Sequence, residues 1–247
     1  MLYLFTFFFG LIIGSFLNVC INRIPRGESI VAPSSRCESC GVRLKPWDLV
    51  PVLSWLLLRG RCRYCGATVS PKYLIVELLT GSLFVSLLAV KGLSAELIPY
   101  LTLTSILVVV GFTDLEHYLI PNKVIIAGFV LGAGLHIFFR HLDWKDIFLG
   151  FLAGGSILYL LAVLSKGGMG GGDIKLAALL GFYLGWQGVL LTLFLGALLA
   201  SVTGIWLIIL GKKSRKDPLP FGVFLSIAAM ISMLYGGNIL TCYLNAL

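Results

Sequence analysis

Two aspartates and four cysteines stand out in a 247-residue chain that has only eleven acidic residues. Asp114 ends a long apolar run, in Gly111-Phe112-Thr113-Asp114-Leu115-Glu116-His117-Tyr118-Leu119-Ile120-Pro121. Asp173 closes Gly167-Gly168-Met169-Gly170-Gly171-Gly172-Asp173, in which five of the six preceding residues are glycine. The chemistry that uses two aspartates is aspartic proteolysis. One carboxylate stays ionised and activates a water while its partner keeps the proton and hydrogen-bonds the scissile carbonyl, because two like charges a few ångströms apart cannot both ionise comfortably. Glycines before Asp173 suit such a site: unwound backbone at membrane depth is tolerated only where it lines protein or a water cavity, and a substrate strand can approach glycine closely. A glycine-rich run opening a helix can also cradle phosphate, but the Gly-Lys-Ser/Thr of a P-loop is missing here.

The cysteines form two C-x2-C knuckles, Cys37-Glu38-Ser39-Cys40 and Cys62-Arg63-Tyr64-Cys65, with 21 residues between them. Four thiolates at this spacing can surround a tetrahedral zinc ion. Gly41 and Gly66 directly follow the knuckles, where a tight turn needs a residue tolerant of positive φ. Disulfides or free thiols are the alternatives, and a reducing cytosolic setting disfavours the disulfides. The metal reads as a structural staple, because a loop of this size has too little core to fold unaided.

The elements that must position these groups follow from composition. Hydrophobic residues make up 58% of the chain and charged residues 12%, against roughly 25% in soluble domains. That balance excludes a disordered chain, a basic nucleic-acid-binding protein and an ordinary cytosolic enzyme, and leaves an all-α polytopic membrane protein. Runs of about twenty apolar residues place spans at Leu2 to Ile21, Leu74 to Val90, Leu97 to Thr113, Leu119 to Phe139, Ile147 to Ser165 and Leu219 to Tyr243. Ile174 to Leu210 is too long for one span and divides near Gly185, Gln187 and Gly188, which makes about eight transmembrane helices. The expected organisation is a first transmembrane helix over residues 1–21, a small zinc-knuckle loop domain over 22–73, and a transmembrane bundle carrying the aspartates over 74–247.

Sixteen of the nineteen lysines and arginines fall in segments of one side, including Lys123, Lys166, Lys175 and the run Lys212 to Lys216. The positive-inside rule therefore predicts both termini outside, with the loop and both aspartates at the cytoplasmic face. Pro51-Val52-Leu53-Ser54-Trp55-Leu56-Leu57-Leu58 is too short to span and is expected to dip into the interface or to pack on the bundle. Glu77 lies near the cytoplasmic end of the second span, as an interfacial or internally paired acid. Glu116 and His117 read as interfacial neighbours of Asp114, and Lys175 as a positive-inside anchor.

These residues resemble the prepilin peptidase family, membrane-embedded aspartic proteases that share a Gly-x-Gly-Asp motif. The resemblance runs to about residue 226. It is carried by Gly14-Ser15-Phe16-Leu17-Asn18-Val19 with Arg23 and Pro25, by the double knuckle, by Pro71, Tyr73 and Val76-Glu77-Leu78-Leu79-Thr80-Gly81, and by Pro220-Phe221-Gly222. It implies that Asp114 and Asp173 are the catalytic pair. It further implies a bacterial inner-membrane enzyme that removes the basic leader of type IV prepilins or pseudopilins and methylates the new N-terminus from S-adenosylmethionine. The chain departs from the family pattern at Glu38, where a proline often stands, at Leu49, where an asparagine is common, at Asn122, where an aspartate often follows the proline, and at Val223, where a second proline is usual.

A methyltransferase site has no independent signature, since there is no Gly-x-Gly-x-x-Gly turn and the loop is too small for an ordinary methyltransferase domain. Asp48 and Glu77 are the acids considered as contacts for the methyl donor or the substrate amine. Three other readings compete: a preflagellin-type leader peptidase without methylation, an ion-coupled transporter using the membrane aspartates, and a noncatalytic anchor whose knuckles recruit a partner. Transport would place acids near the bilayer midplane, whereas both aspartates map to one face.

Overall fold

Backbone polar groups in lipid must be satisfied within the chain, so long apolar runs become helices. The computed structural model describes residues 1–165, 168–214 and 217–245. Lys166, Gly167, Arg215 and Lys216, which belong to the basic segments and the glycine run, lie outside the described residues. The helices are α1 (Leu2–Arg23), a short α2 (Leu53–Leu57), α3 (Lys72–Lys91), α4 (Leu97–His117), α5 (Asn122–Phe139), α6 (Trp144–Leu164), α7 (Gly171–Ile209) and α8 (Phe221–Asn245). All but α2 are long and apolar enough to cross a membrane, which makes seven among the described residues. Helix α7 is 39 residues long and breaks at Gly185, where φ is 71° and ψ is 178°. The eight spans read from sequence correspond to these seven helices with α7 divided at that glycine.

Two boundaries matter for the site. Helix α4 continues past Thr113 to His117, so Asp114 lies in its last turn rather than beyond its end. Tyr118 then closes the helix in the left-handed region at φ 53°. The glycine run was expected to be unwound up to Asp173. Instead Gly170 is the N-cap and Gly171 and Gly172 are already helical, which puts Asp173 at the third position of α7.

The chain divides into two compact units, Met1–Gly92 and Leu93–Leu247. In the first, α1 meets α3 through Gly10 and Gly14. A Cβ at Gly10 would lie 2.7 Å from the Gly81 Cα, and one at Gly14 would lie 2.8 Å from the Glu77 Cα. Small residues four apart let two backbones touch, which substitutes for the missing hydrophobic driving force between helices in lipid. Polar clamps fasten the same pair: Asn18 Nδ2 donates to the Tyr73 carbonyl at 3.0 Å, and Asn22 Nδ2 to the Tyr73 hydroxyl at 3.1 Å.

In the second unit Gly150 and Gly154 of α6 face Ala177 and Gly181 of α7, and a Cβ on Gly150, Gly154 or Gly181 would overlap the facing backbone. Helices α4, α5 and α8 complete the packing around α7. Tyr183 is fully buried among them, and its hydroxyl donates to the Gly128 carbonyl at 2.9 Å.

Candidate active site and metal centre

Each aspartate is held by the N-terminus of a helix. Asp114 is 6% exposed, and its Oδ2 accepts the Val223 N–H at 3.2 Å and also bonds the Gly222 N–H. Gly222 and Val223 are the second and third residues of α8. A side chain of α4 therefore caps a different helix by the bonding that an N-cap residue uses on its own. Val223 departs from the family pattern of proline, and its N–H is a donor that proline lacks. Asp173 is half-buried, and its carboxylate accepts the Gly170 N–H, as the third-position acid of a capping box does. The positive ends of α7 and α8 thus each hold one of the two acids.

Ile120 lies between the glycines beside the two acids, a residue the sequence reading did not single out. It is buried, and a Cβ at Gly172, beside Asp173, would meet its Cβ at 2.9 Å. A Cβ at Gly222 would lie 2.9 Å from both Ile120 Cδ1 and Asp114 Oδ2. A side chain at either position would displace Ile120 and, at Gly222, Asp114 as well. Gly222→Ala is expected to lower any turnover at this site by roughly 10- to 100-fold while thermal stability holds, since ångström-scale misplacement costs that much. A variant with wild-type turnover would show that this packing does not set the acid's position.

The remaining ionisable candidates do not join the pair. Glu116 and His117 are exposed and lie 3.9 Å apart. Lys175 is exposed, and its Nζ donates to Asn122 Oδ1 at 2.9 Å. Asn122, the residue where the family pattern has an acid, therefore anchors the lysine that follows Asp173.

The four cysteines come together. Their sulfurs all lie within 4.8 Å of one another, and Cys37 Sγ is 3.9 Å from Cys65 Sγ. Ligands about 2.3 Å from a tetrahedral zinc stand about 3.8 Å apart, so the set fits one such ion. Both knuckles have the same backbone. Cys37 N–H donates to the Val42 carbonyl and Gly41 N–H to the Cys37 carbonyl, while Cys62 N–H pairs with Ala67 and Gly66 N–H with Cys62 in the same way. Gly41 and Gly66 take φ of 72° and 71°. The backbone N–H groups of Cys40 and Ser39 hold the Cys37 thiol down at about 6, whereas Cys65, despite the Ala67 N–H, is pushed up to about 12 by burial and by its bonds to the other three sulfurs, so the thiols of the cluster deprotonate unequally.

Asp48 and Glu77 are both occupied structurally. Asp48 accepts from Arg63 Nε at 2.7 Å, from the Tyr64 hydroxyl at 2.8 Å and from the Lys45 N–H at 3.1 Å, tying the stretch between the knuckles to the second one. Burial pushes its pKa up, but the bonds from Arg63, Tyr64 and Lys45 outweigh this and hold it below its usual range. A depressed carboxylate contributes stability that is fully present above its unfolded pKa of about 3.9 and is lost as pH falls through the folded value. Asp48→Asn is therefore expected to loosen the loop at pH 7 and to leave less further loss on acidification than in the wild type. Loop amide exchange at pH 7 and below pH 4, compared between the two proteins, measures this. Glu77 is 7% exposed and accepts the Val52 N–H at 2.7 Å and the Ser15 hydroxyl.

The chain is similar to known proteins over nearly its whole length. The Bacterial Peptidase A24 N-terminal domain matches residues 8–91, and the Type IV leader peptidase family matches residues 101–205. Among curated proteins, the Prepilin leader peptidase/N-methyltransferase of Bacillus subtilis (strain 168) is 36% identical over 239 residues, which cover 97% of this chain and 96% of the relative. The protein of the same name from Aeromonas hydrophila is 35% identical, covering 97% and 93%, and that of Pseudomonas aeruginosa is 32% identical, covering 97% and 92%. No solved structure matches the chain.

Proposed function

Because this chain belongs to the type IV leader peptidase family, we propose that it is a membrane-embedded aspartic endopeptidase of the bacterial inner membrane. It removes the leader of type IV prepilins or pseudopilins at the cytoplasmic face and then methylates the new N-terminal amine. The observation that carries the peptidase reading is a pair of acids, Asp114 and Asp173, each bonded to a different helix N-terminus and flanked by glycines that meet the same Ile120 side chain.

One carboxylate is ionised and takes a proton from water as the water oxygen bonds to the scissile carbonyl carbon. The other holds a proton against the carbonyl oxygen. Collapse of the tetrahedral adduct breaks the C–N bond, and the leaving amine takes up a proton from the pair. The two acids titrate as a unit, so the pH–rate profile belongs to the dyad and to neither residue alone. The fixed N–H groups of Gly222, Val223 and Gly170 stabilise negative charge at the site without having to reorganise.

The methylation reading rests on the relatives' names. S-adenosylmethionine would supply an electrophilic methyl group to the freed amine. The two acids considered for holding it, Asp48 and Glu77, already carry the loop's own bonds, so no contact to it is assigned to them. The knuckles hold zinc as a structural ion, with Cys37, Cys40, Cys62 and Cys65 as ligands. Cys62→Ser is expected to reduce bound zinc from about one per chain to a small fraction and to open the loop to protease, because such small metal-stapled loops unfold without their ion. Metal analysis and limited proteolysis read both effects.

The deciding experiment incubates the protein in lipid nanodiscs with a prepilin-like peptide, with and without S-adenosylmethionine, and follows products by mass spectrometry. Leader loss in both conditions and a single added methyl only with the donor are expected. An intact peptide overturns the peptidase assignment, and cleavage without methylation gives the preflagellin-type activity instead.

A further inference from the structure

The segment between the knuckles has its apolar side chains facing outward. Leu53, Leu56 and Leu57 of α2 are 55%, 52% and 81% exposed. Trp55 points the other way. Its Nε1 donates to the Val69 carbonyl at 3.3 Å, and its ring covers Gly60 so closely that a Cβ there would lie 2.8 Å away. The leucines are therefore presented by a helix whose opposite face is fastened down. Exposed cations, Lys45, Arg59 and Arg61, flank the patch on both sides along the chain.

The depth of this patch is set by α3. That helix has 20 residues, about 30 Å at 1.5 Å per residue, which matches the thickness of the hydrocarbon layer. A helix no longer than the layer has its ends at the layer's two edges. Glu77 lies five residues in from Lys72, hence roughly 7 Å inside one edge. Val52, immediately before α2, donates its N–H to the Glu77 carboxylate at 2.7 Å.

The chain reverses at that point. Leu53 N–H bonds the Pro51 carbonyl at 2.6 Å, with Val52 at φ 64° and ψ −53°. This is a γ-turn, which is strained for a β-branched residue and persists only where its surroundings impose it. The clamp brings α2 to the headgroup–acyl boundary beside α3, where exposed leucines are solvated by acyl chains and the flanking cations meet lipid phosphates.

We propose that α2 is a membrane-contacting segment, in which Leu53, Leu56 and Leu57 enter the bilayer beside α3 and the Glu77–Val52 bond holds them at that depth. The occupant of the patch is phospholipid. This inference rests on the reading of α1 and α3 as spans but is independent of the peptidase assignment. The zinc knuckles on either side of α2 are then held against the membrane surface rather than extending freely from it.

A benzoylphenylalanine crosslinker at position 57, in nanodiscs of phosphatidylethanolamine and phosphatidylglycerol, tests it by mass spectrometry. Position 31 serves as the comparison because Val31, in the same loop, is 85% exposed, and position 5 as the control because Phe5, on α1, is 70% exposed. The expected result is a lipid adduct at 57 comparable to that at 5 and at least about tenfold above that at 31. It should fall severalfold in Glu77→Leu and hold in Glu77→Gln, whose amide oxygen still accepts the Val52 N–H. Adducts at 57 to protein instead of lipid, or none, overturn the proposal. Absence of lipid adducts at 5 as well would instead indict the spanning assignment of α1. Zinc content measured on every variant identifies any that fails to fold.

Discussion

Asp114→Asn and Asp173→Asn are each expected to abolish leader cleavage, lowering the rate by roughly 10³-fold or more, with helix content and bound zinc unchanged. Asparagine has the shape of aspartate, and its amide oxygen can still accept the Val223 or Gly170 N–H, so both helix N-termini keep their partner. What it loses is the ability to carry a proton and a full negative charge. General acid–base participation is worth about 10² to 10⁴ in rate, and loss of one member of a coupled pair removes the function of the other as well. The double variant is therefore expected to be no worse than either single one. Single-turnover cleavage in nanodiscs measures this, with thermal unfolding recorded in parallel. Near-normal cutting by either single variant would refute the aspartic mechanism.

Gly181→Ala is expected to cost about 3 kcal/mol of stability, a drop of roughly 10 °C in the unfolding midpoint. The added Cβ would occupy the place of the Gly150 carbonyl, so α6 and α7 must separate along their crossing. Backbone atoms cannot swing aside as a long side chain can. Gly134→Ala supplies the contrast: it lies in α5, and a Cβ there would meet nothing within 4 Å. Replacing that glycine is expected to be neutral or mildly stabilising, because alanine is the better helix former. Equal midpoints for the two variants would mean that the α6–α7 contact is loose.

Much of the molecule can be read from local sequence. Apolar run length sets where helices form, because lipid offers backbone groups no other partner, and it also located the break in α7 near Gly185. Cysteine spacing and the two following glycines define the knuckles for a similar reason: a chelating turn is a local object whose geometry a few residues determine. The two acids were conspicuous because ionisable residues in such a chain are rare.

Other features lie in contacts between distant residues and leave no local signature. The roles of Asp48 and Glu77 depend on partners 15 and 25 residues away. An acid that binds its own fold cannot be told from one that binds a ligand by type alone. Gly10, Gly14, Gly150 and Gly154 do carry a readable four-residue spacing, yet only the packed structure identifies which helix each pair faces. The glycine run before Asp173 divides: Gly168 to Gly170 stay outside the helix as composition suggested, whereas Gly171 and Gly172 are already wound into α7.

By itself the sequence determined that this is a helical membrane protein, and it singled out four cysteines at metal-ligand spacing and two acids of the type proteolysis uses, because these properties follow from hydrophobic run length, ligand spacing and residue type. Tertiary structure alone decided that α8 supplies N–H groups to an aspartate on α4, that Ile120 separates the glycines beside the two acids, and that a loop backbone N–H seals Glu77. The physical reason is that hydrogen bonds and steric contacts act over a few ångströms, and residues a hundred apart in the chain come within that range only once helices have packed.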